Sequence, residues 1–489
     1  MAILPVLMLA ACAGMPPEIP RATENLPSCL AMLAAYDWRT VDAGVVNAEA
    51  TPVAGYPFLR ANRISVALKD QLDADADGMP DSPDLWRDWI AQMRGLDRDA
   101  RSGEMAALKA DFDMVAVEDC AGRLADDLPE AAYPDLAKAV FVPSNYLDFQ
   151  RIAGMYPMTA IGVHRGYESW KSANFQTFKK SRIDLLALGE WQDWRVVPED
   201  TVDSRSDLLL ETGRDSFGLL HPTAPQLEAL ARIYAPVYRI NVGGDYDRIG
   251  APVWIGDPAI ADIDMQQPTV FYRFSHTWLD GVWLPQIVYT IWFSSRPAQG
   301  IVDILAGKFD GIIWRVTLDQ NGAPLLFDSI HSCGCYHLFF PTQHLQRIAA
   351  PEDTTISETA EMPAGTLNLD HGQRPVIWID TISHYLLAVT VADDGETSGA
   401  GILGASMSLR PERDLTRLTL PNGRGVRSLY GPDGFIAGTD RLEWMILWPM
   451  GIERPGAMRQ WGHHPTAFVG KRHFDEVGLV GRYFTLSGQ

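Results

Sequence analysis

The chain has 489 residues, of which 47% are hydrophobic, 21% charged and 10% aromatic. That composition suits a globular protein with a sizeable core and excludes a disordered tail, a fibre or a single small module. Lys and Arg total 41 against 62 Asp and Glu, a net charge of -21, and a surface that negative repels phosphate backbones, which speaks against nucleic acid as a partner.

The first residues, MAILPVLMLAACAG, carry an apolar run from Ile3 to Ala11 that closes on Leu9-Ala10-Ala11-Cys12. This ending resembles the lipobox of bacterial lipoproteins, although no Lys or Arg precedes the apolar run. The resemblance implies a signal peptide over residues 1–11, cleavage before Cys12 and lipid on its thiol. Ala13 and Gly14 follow in place of Asp, which resembles lipoproteins delivered to the outer membrane, facing the periplasm. Acyl chains contribute ~0.8 kcal/mol per buried CH₂, so an anchor at Cys12 holds a protein to a membrane with no spanning helix. Residues 12–27, rich in Pro, Glu and Asn, read as the lipidated tether.

Residues 28–139 read as a helical region. Leu85, Trp86, Trp89, Ile90 and Met93 recur at three- and four-residue spacing, the mark of a helix with one buried face. Just before them, Asp73, Asp75, Asp77, Asp81 and Asp84 supply oxygens at loop positions 1, 3, 5, 9 and 12, with Gly78 at the turn and the Met79 carbonyl at position 7. Alternating carboxylates at this spacing wrap a hard cation such as Ca²⁺. The loop resembles those of thrombospondin type 3 and dockerin repeats. The alternative is a solvated acidic turn with Asp84 as a helix N-cap.

Residues 140–235 read as a mixed connecting region that ends in a helix over Pro225 to Tyr234, capped by Thr223. From 236 to 489 the period becomes that of strands. Thr269 to Trp278 and Trp283 to Phe293 flank an Asp280-Gly281 turn, and Gly311 to Leu318 and Pro324 to Ile330 flank Asp319-Gln-Asn-Gly322; both read as hairpins. Val376 to Thr381, Tyr385 to Val391 and Leu442 to Trp448 read as further strands. The fold class is therefore α+β, a helical N-terminal part followed by a large antiparallel β sheet or sandwich.

With Cys12 set aside, Cys29, Cys120, Cys333 and Cys335 allow three disulfide pairings. The favoured pairs are Cys29 with Cys120, which flank the helical region, and Cys333 with Cys335, separated only by Gly334. The run His331-Ser-Cys333-Gly-Cys335-Tyr-His337 also puts four metal-capable side chains at alternate positions. Along a straight strand these stand ~6.6 Å apart, too far to share one ion without a bend at Gly334. A disulfide-stapled turn, a metal site and a redox dithiol all remain open there. His276, His384, His463, His464 and His473 are further candidates for a histidine cluster, and Asp380 with His384 for acid–base chemistry. Nine of the 15 Trp follow residue 250; at Trp254, Trp292, Trp314 and Trp378 a core role is expected, whereas Trp461, beside His463, reads as an exposed ring able to stack on a ligand.

The phrases Tyr289-Thr-Ile-Trp-Phe293, Cys333-Gly-Cys-Tyr-His337 and Arg459-Gln-Trp-Gly-His463 resemble a group of proteobacterial envelope proteins with no assigned activity. The expectation is an envelope lipoprotein with a non-catalytic binding or structural role toward a protein or glycan. The alternative is a metal-dependent periplasmic hydrolase built on His331, His337 and other histidines of the β part.

Overall fold

In the computed structural model, residues 28–72, 82–108, 112–197, 205–350, 356–370, 373–393 and 403–487 are described. Cys12 and the loop positions Asp73, Asp75, Asp77, Met79 and Asp81 lie outside them. Four helices form the N-terminal part: α1 (Ser28–Ala43), α2 (Arg63–Leu72), α3 (Pro83–Leu108) and α4 (Met114–Asp126). They close around a short hairpin, β1 (Thr51–Val53) and β2 (Tyr56–Ala61). The three- and four-residue spacing in α3 does what it predicts. Trp86, Trp89, Ile90 and Met93 are buried together with Leu33 and Tyr36 of α1 and Phe58 and Leu59 of β2. A disulfide between Cys29 and Cys120 ties α1 to α4. Beneath the hairpin, Arg60 pairs with Glu104 at 2.8 Å, and Arg101 with Asp97 at 2.9 Å, all four fully enclosed. Asp84 stands in the first turn of α3, paired with Arg87 at 2.8 Å on the surface, while Ser82 Oγ accepts the Asp84 N–H.

A fifth, short helix, α5 (Tyr133–Ala139), closes the helical region, and the connecting region contributes α6 (Asp148–Ala153), α7 (Tyr156–Asn174) and then a strand, β3 (Trp191–Val196). The helix before the β part runs Ala224–Tyr234. Thr223 and Gln226 form a reciprocal capping box at its start, which satisfies two otherwise unpaired N–H groups.

After β4 (Val237–Asn241), a side hairpin of β5 (Ala251–Ile255) and β6 (Ile260–Asp264) leads into the main strands. These are β7 (Thr269–Leu279), β8 (Val282–Arg296), β9 (Gly307–Leu318), β10 (Pro324–His331) and β11 (Leu338–Pro341). A short strand, β12 (Leu345–Arg347), pairs with Phe484–Leu486 outside the sheet. Then come β13 (Gln373–Ile379), β14 (Leu386–Asp393) and β15 (Leu403–Pro411). Ten of them hydrogen-bond in the order β11-β10-β9-β8-β7-β15-β3-β4-β13-β14. Both predicted turns form. Asp280 and Gly281 each take positive φ, 47° and 86°, the requirement of a tight hairpin between right-twisted strands.

The sheet is mixed, not wholly antiparallel, because β15 runs parallel to both β7 and β3, and β13 runs parallel to β4. Long connections carry the chain across between these strands, which hairpin signals alone do not reveal. The sheet curls. Its inner face gathers Ile287, Tyr289, Ile291 and Phe293 of β8 and Ile312, Trp314 and Val316 of β9 with Tyr238 and Ile240 of β4 and Ile377 and Ile379 of β13. Alternate residues of β8 and β9 therefore belong to one core, as the period of two requires. The curl brings the β13–β14 turn over the ends of β8 and β9.

Leu442 to Trp448 is not a strand; Trp444–Leu447 is one turn of helix. A short continuous apolar run does not distinguish the two, and here only Leu447 turns inward. Trp461 is buried and not an exposed ring: it packs on Phe474 and under the Arg273 guanidinium.

Candidate functional site

At the curled end of the sheet, residues distant in sequence meet: Arg296 ends β8, Asp310 lies near the start of β9, His331 ends β10, and His384 sits in the β13–β14 turn. His384 is fully buried, stacked 3.9 Å from the Phe293 ring. Its Nδ1 is 2.9 Å from Asp310 Oδ2, and its Nε2 is 3.3 Å from Asp247 Oδ1. Asp247 is pinned in turn by the N–H groups of Gly243 and Ile382 and the Thr381 hydroxyl, at 2.7 to 2.8 Å.

Burial alone would favour neutral forms for all three groups, yet the pairing wins. Against its burial, His384 is raised above the usual imidazole value by its bonds to Asp247 and Asp310. Asp310 is held well below the usual carboxylate range by Arg441, His331 and His384, and Asp247 is lowered by its hydrogen bonds to His384, Thr381 and the loop backbone. The unit is a histidine between two carboxylates, and the pairing favours its charged form.

Around Asp310 the polar groups are less satisfied. Arg441 Nη2 donates to the Phe309 carbonyl at 2.8 Å and lies 3.5 Å from Asp310, while its Nε has no partner. His331 Nδ1 is 3.6 Å from Asp310, too long for a hydrogen bond, and its Nε2 has no partner. The Ser332 hydroxyl, Glu443 Oε2 and Arg296 Nε are also buried without hydrogen bonds. Arg296 reaches only the Ser383 carbonyl and the Tyr385 hydroxyl, at 3.3 and 3.4 Å. Burial pushes Glu443 up, against the charges of Arg441 and Arg296. A buried polar group left unbonded costs about 1 to 3 kcal/mol, so this concentration in one place calls for a partner.

Tyr336, Tyr385 and Trp170 of α7, all partly exposed, close over this cluster. The two tyrosine hydroxyls meet at 2.8 Å, and the Trp170 ring lies 4.6 Å from that of Tyr336. The backbone is strained here as well. Seven described non-glycine residues have left-handed φ, and four of them, Phe309, Tyr336, Ile382 and His384, belong to this site. Such conformations cost about 1 to 3 kcal/mol each and persist where surrounding structure imposes them, characteristically at functional sites.

The sequence candidates are separated by the fold. His331 belongs to this cluster, but His337 pairs with Asp328 at 2.8 Å beside Arg315 and stacks on Phe339. Cys333 and Cys335 are not bridged. They are free, buried thiols in the core with Phe271 and Trp292, and the turn between them is already closed by His331 N–H to Cys335 O and Gly334 N–H to His331 O. The hydrogen bond with the Cys333 thiol, and then burial, push the Cys335 thiol up, which makes it unreactive. His384 faces Asp310 and Asp247, whereas Asp380 accepts from Ser383. His463 and His473 both contact Asn145, and His276 accepts the Leu220 N–H. Among the described residues no group of three His, Cys, Asp or Glu side chains is arranged to hold a metal ion.

Sequence reasoning missed Asp247, Arg296, Asp310, Arg441 and Glu443. One signal was available: Asp310 and Arg296 interrupt or end otherwise apolar strands, where a charge needs a reason.

A concavity of about 690 Å³ lies between α1 and the β1–β2 hairpin, lined by Leu30, Ala34, Val41 and Leu59 over Arg60 and Asp97. Its charged floor is largely paired internally, Arg60 with Glu104 and Asp97, with Arg101 Nη1 alone among the floor guanidinium nitrogens left without a hydrogen bond.

Comparison with protein-family models, with curated proteins and with solved structures found no match.

Proposed function

We propose that this chain is a lipid-anchored envelope protein whose β part binds a small anionic ligand, a carboxylate or phosphate, beneath Tyr336 and Tyr385. The observation that carries the reading is Arg296. It is buried, has no carboxylate within ion-pair distance among the described residues, and stands beside His331 and Arg441, which also keep nitrogens without hydrogen bonds. Guanidinium groups in that state are the usual recognition element for oxyanions. The lipobox supports the envelope address.

Acetate and inorganic phosphate, added to the purified protein in an otherwise chloride buffer, are the simplest probes. A ligand that binds only the folded state raises its thermal midpoint. At least one of the two is expected to raise it in the wild type and to have no effect on Arg296→Gln. Equal response of wild type and variant, or no response to either anion, overturns the reading.

One observation favours a second reading, hydrolysis. The His331 Nε2 is buried with no hydrogen-bond partner, and burial favours the neutral ring despite Asp310, an arrangement open to a general base. Release of p-nitrophenol from p-nitrophenyl acetate, lost in His331→Asn and retained in His337→Asn, is the expected result on that reading. Equal rates in the two variants dismiss it.

A further inference from the structure

In a protein of net charge -21, the segment that carries α6 and α7 has the opposite sign: residues 148–184 contain six Lys or Arg against three acidic residues, Asp148, Glu168 and Asp184. In α6 and the first turns of α7, large apolar side chains face outward. Phe149, Ile152, Met155 and Met158 are all more than 60% exposed. Beside them, the helical turn Trp444–Leu447 presents Trp444 and Met445 to solvent.

These elements form one continuous face. Leu447, Met450 and Ile452 share a small core with Tyr146 and with Ala160 of α7. The Leu147 N–H bonds to the Gly451 carbonyl, and Arg151 donates to the Met450 carbonyl. Gly154, between α6 and α7, sits so close on Pro449 that a Cβ would meet it at 2.6 Å. Inward-facing residues therefore fix α6, α7 and the Trp444 turn against each other, and their outward residues lie side by side. Met158, Ile161 and Arg165 follow one another at i, i+3 and i+7 along α7, all exposed. The apolar end of that stripe thus runs into its cationic end, and Lys179, Lys180 and Arg182, also exposed, follow.

Scattered surface hydrophobics need no explanation, but a contiguous patch of large ones marks an interaction site. Two partners compete for it. A second copy of this chain would bring the same excess of positive charge to an isologous contact, which is unfavourable. A bilayer carrying anionic lipid meets both needs, taking up Trp, Phe, Met and Ile at the headgroup boundary while basic residues lie over its surface.

We infer that α6, α7 and the Trp444 turn form a membrane-docking face for anionic phospholipid, a second membrane contact besides any anchor at Cys12. It orients the body of the protein on the bilayer, and α7, which also supplies Trp170 to the aromatic cover beside Arg296, fixes where that cover stands relative to the surface.

The test uses the full chain with Cys12→Ser, so that no acyl chain contributes, and its Met158→Glu/Trp444→Glu derivative. Both are sedimented with vesicles of phosphatidylcholine alone and of phosphatidylcholine with 30% phosphatidylglycerol, a composition chosen for the probe. The parent is expected to partition at least about tenfold more strongly onto the anionic vesicles, with the preference reduced by salt, and the derivative to lose about tenfold or more of that partitioning. Both substituted side chains are exposed, so circular dichroism is expected to match the parent. Equal partitioning of parent and derivative overturns the inference, as does a parent that binds neither vesicle. A parent that dimerises in solution and becomes monomeric on substitution, without vesicle binding, assigns the face to a second copy.

Discussion

Replacing Asp310 with alanine is expected to destabilise the protein by about 3 to 5 kcal/mol, the usual result of removing one partner from a buried ionic group. Asp310 is fully enclosed and serves His384 at 2.9 Å and Arg441 at 3.5 Å. Its loss leaves two cations with no way back to water except through local opening. Native stabilities of domains are about 5 to 15 kcal/mol, so the change removes a large share. Urea unfolding at pH 7 measures it. Asp310→Asn keeps the hydrogen bond from the Gly311 N–H but not the charge, and an intermediate loss is expected. The surface pair Asp84–Arg87, more than 70% exposed on both sides, is the control: Arg87→Ala is expected to leave the midpoint unmoved. A loss from Asp310→Ala no larger than that of the control would mean that the His384 unit is not held by charge.

The same cluster shows why some of this molecule can be read from its sequence and some cannot. The hairpins were legible because Asp280-Gly281 and the turn at Gly322 state their backbone conformation locally. The Thr223 cap and the tryptophan spacing of α3 are equally local. The Cys29–Cys120 bridge followed from counting cysteines around a helical segment. None of these needs knowledge of what the residue touches at long range.

The site is different in kind. His384 was visible as a candidate, but its partners Asp310 and Asp247 are 74 and 137 residues away, and its nearest acid in sequence, Asp380, turned out to serve Ser383. Which acid a histidine meets is set by the curl of the sheet, and the curl depends on parallel pairings that no turn signal announces. His331 and His337, six residues apart, face different carboxylates because the backbone reverses at Gly334 and Tyr336, where φ is 96° and 61°. Alternation along a strand places both on one face only if the strand continues, and here it does not. The apolar run at Leu442 to Trp448 failed for a third reason: its outward residues are themselves apolar, so the contrast between faces that separates helix from strand is absent.

Acidification between about pH 6 and 4.5 is expected to destabilise this protein by more than the ~1.36 kcal/mol per pH unit of a single proton. Burial pushes His276, His337, His464 and His473 down to about 3, whereas in the unfolded chain each titrates near ~6.5. Within that window the unfolded state binds four protons that the folded state refuses. Glu358 works the other way: burial lifts it to about 7, so the folded state holds one proton that the unfolded state lacks above ~4.3. Asp37, Asp99, Glu361, Asp380, Glu412 and Glu443 are raised as well and reduce the slope, while His331 and His463 are lowered and add to it; each proton of net difference is worth ~1.36 kcal/mol per pH unit. His384 adds nothing to the slope. Its folded value is raised, so it is protonated in both states below ~6.5, and its stabilisation is lost only as pH rises through that folded value. Asp247 and Asp310 are lowered, so their contribution persists above ~3.9 and disappears only beneath the window. Urea unfolding at pH 7, 6 and 5 reads the slope directly. A change of less than about 1.4 kcal/mol per pH unit, the effect of a single proton, would mean that these histidines reach water in the native state and that the polar interior described for them is open.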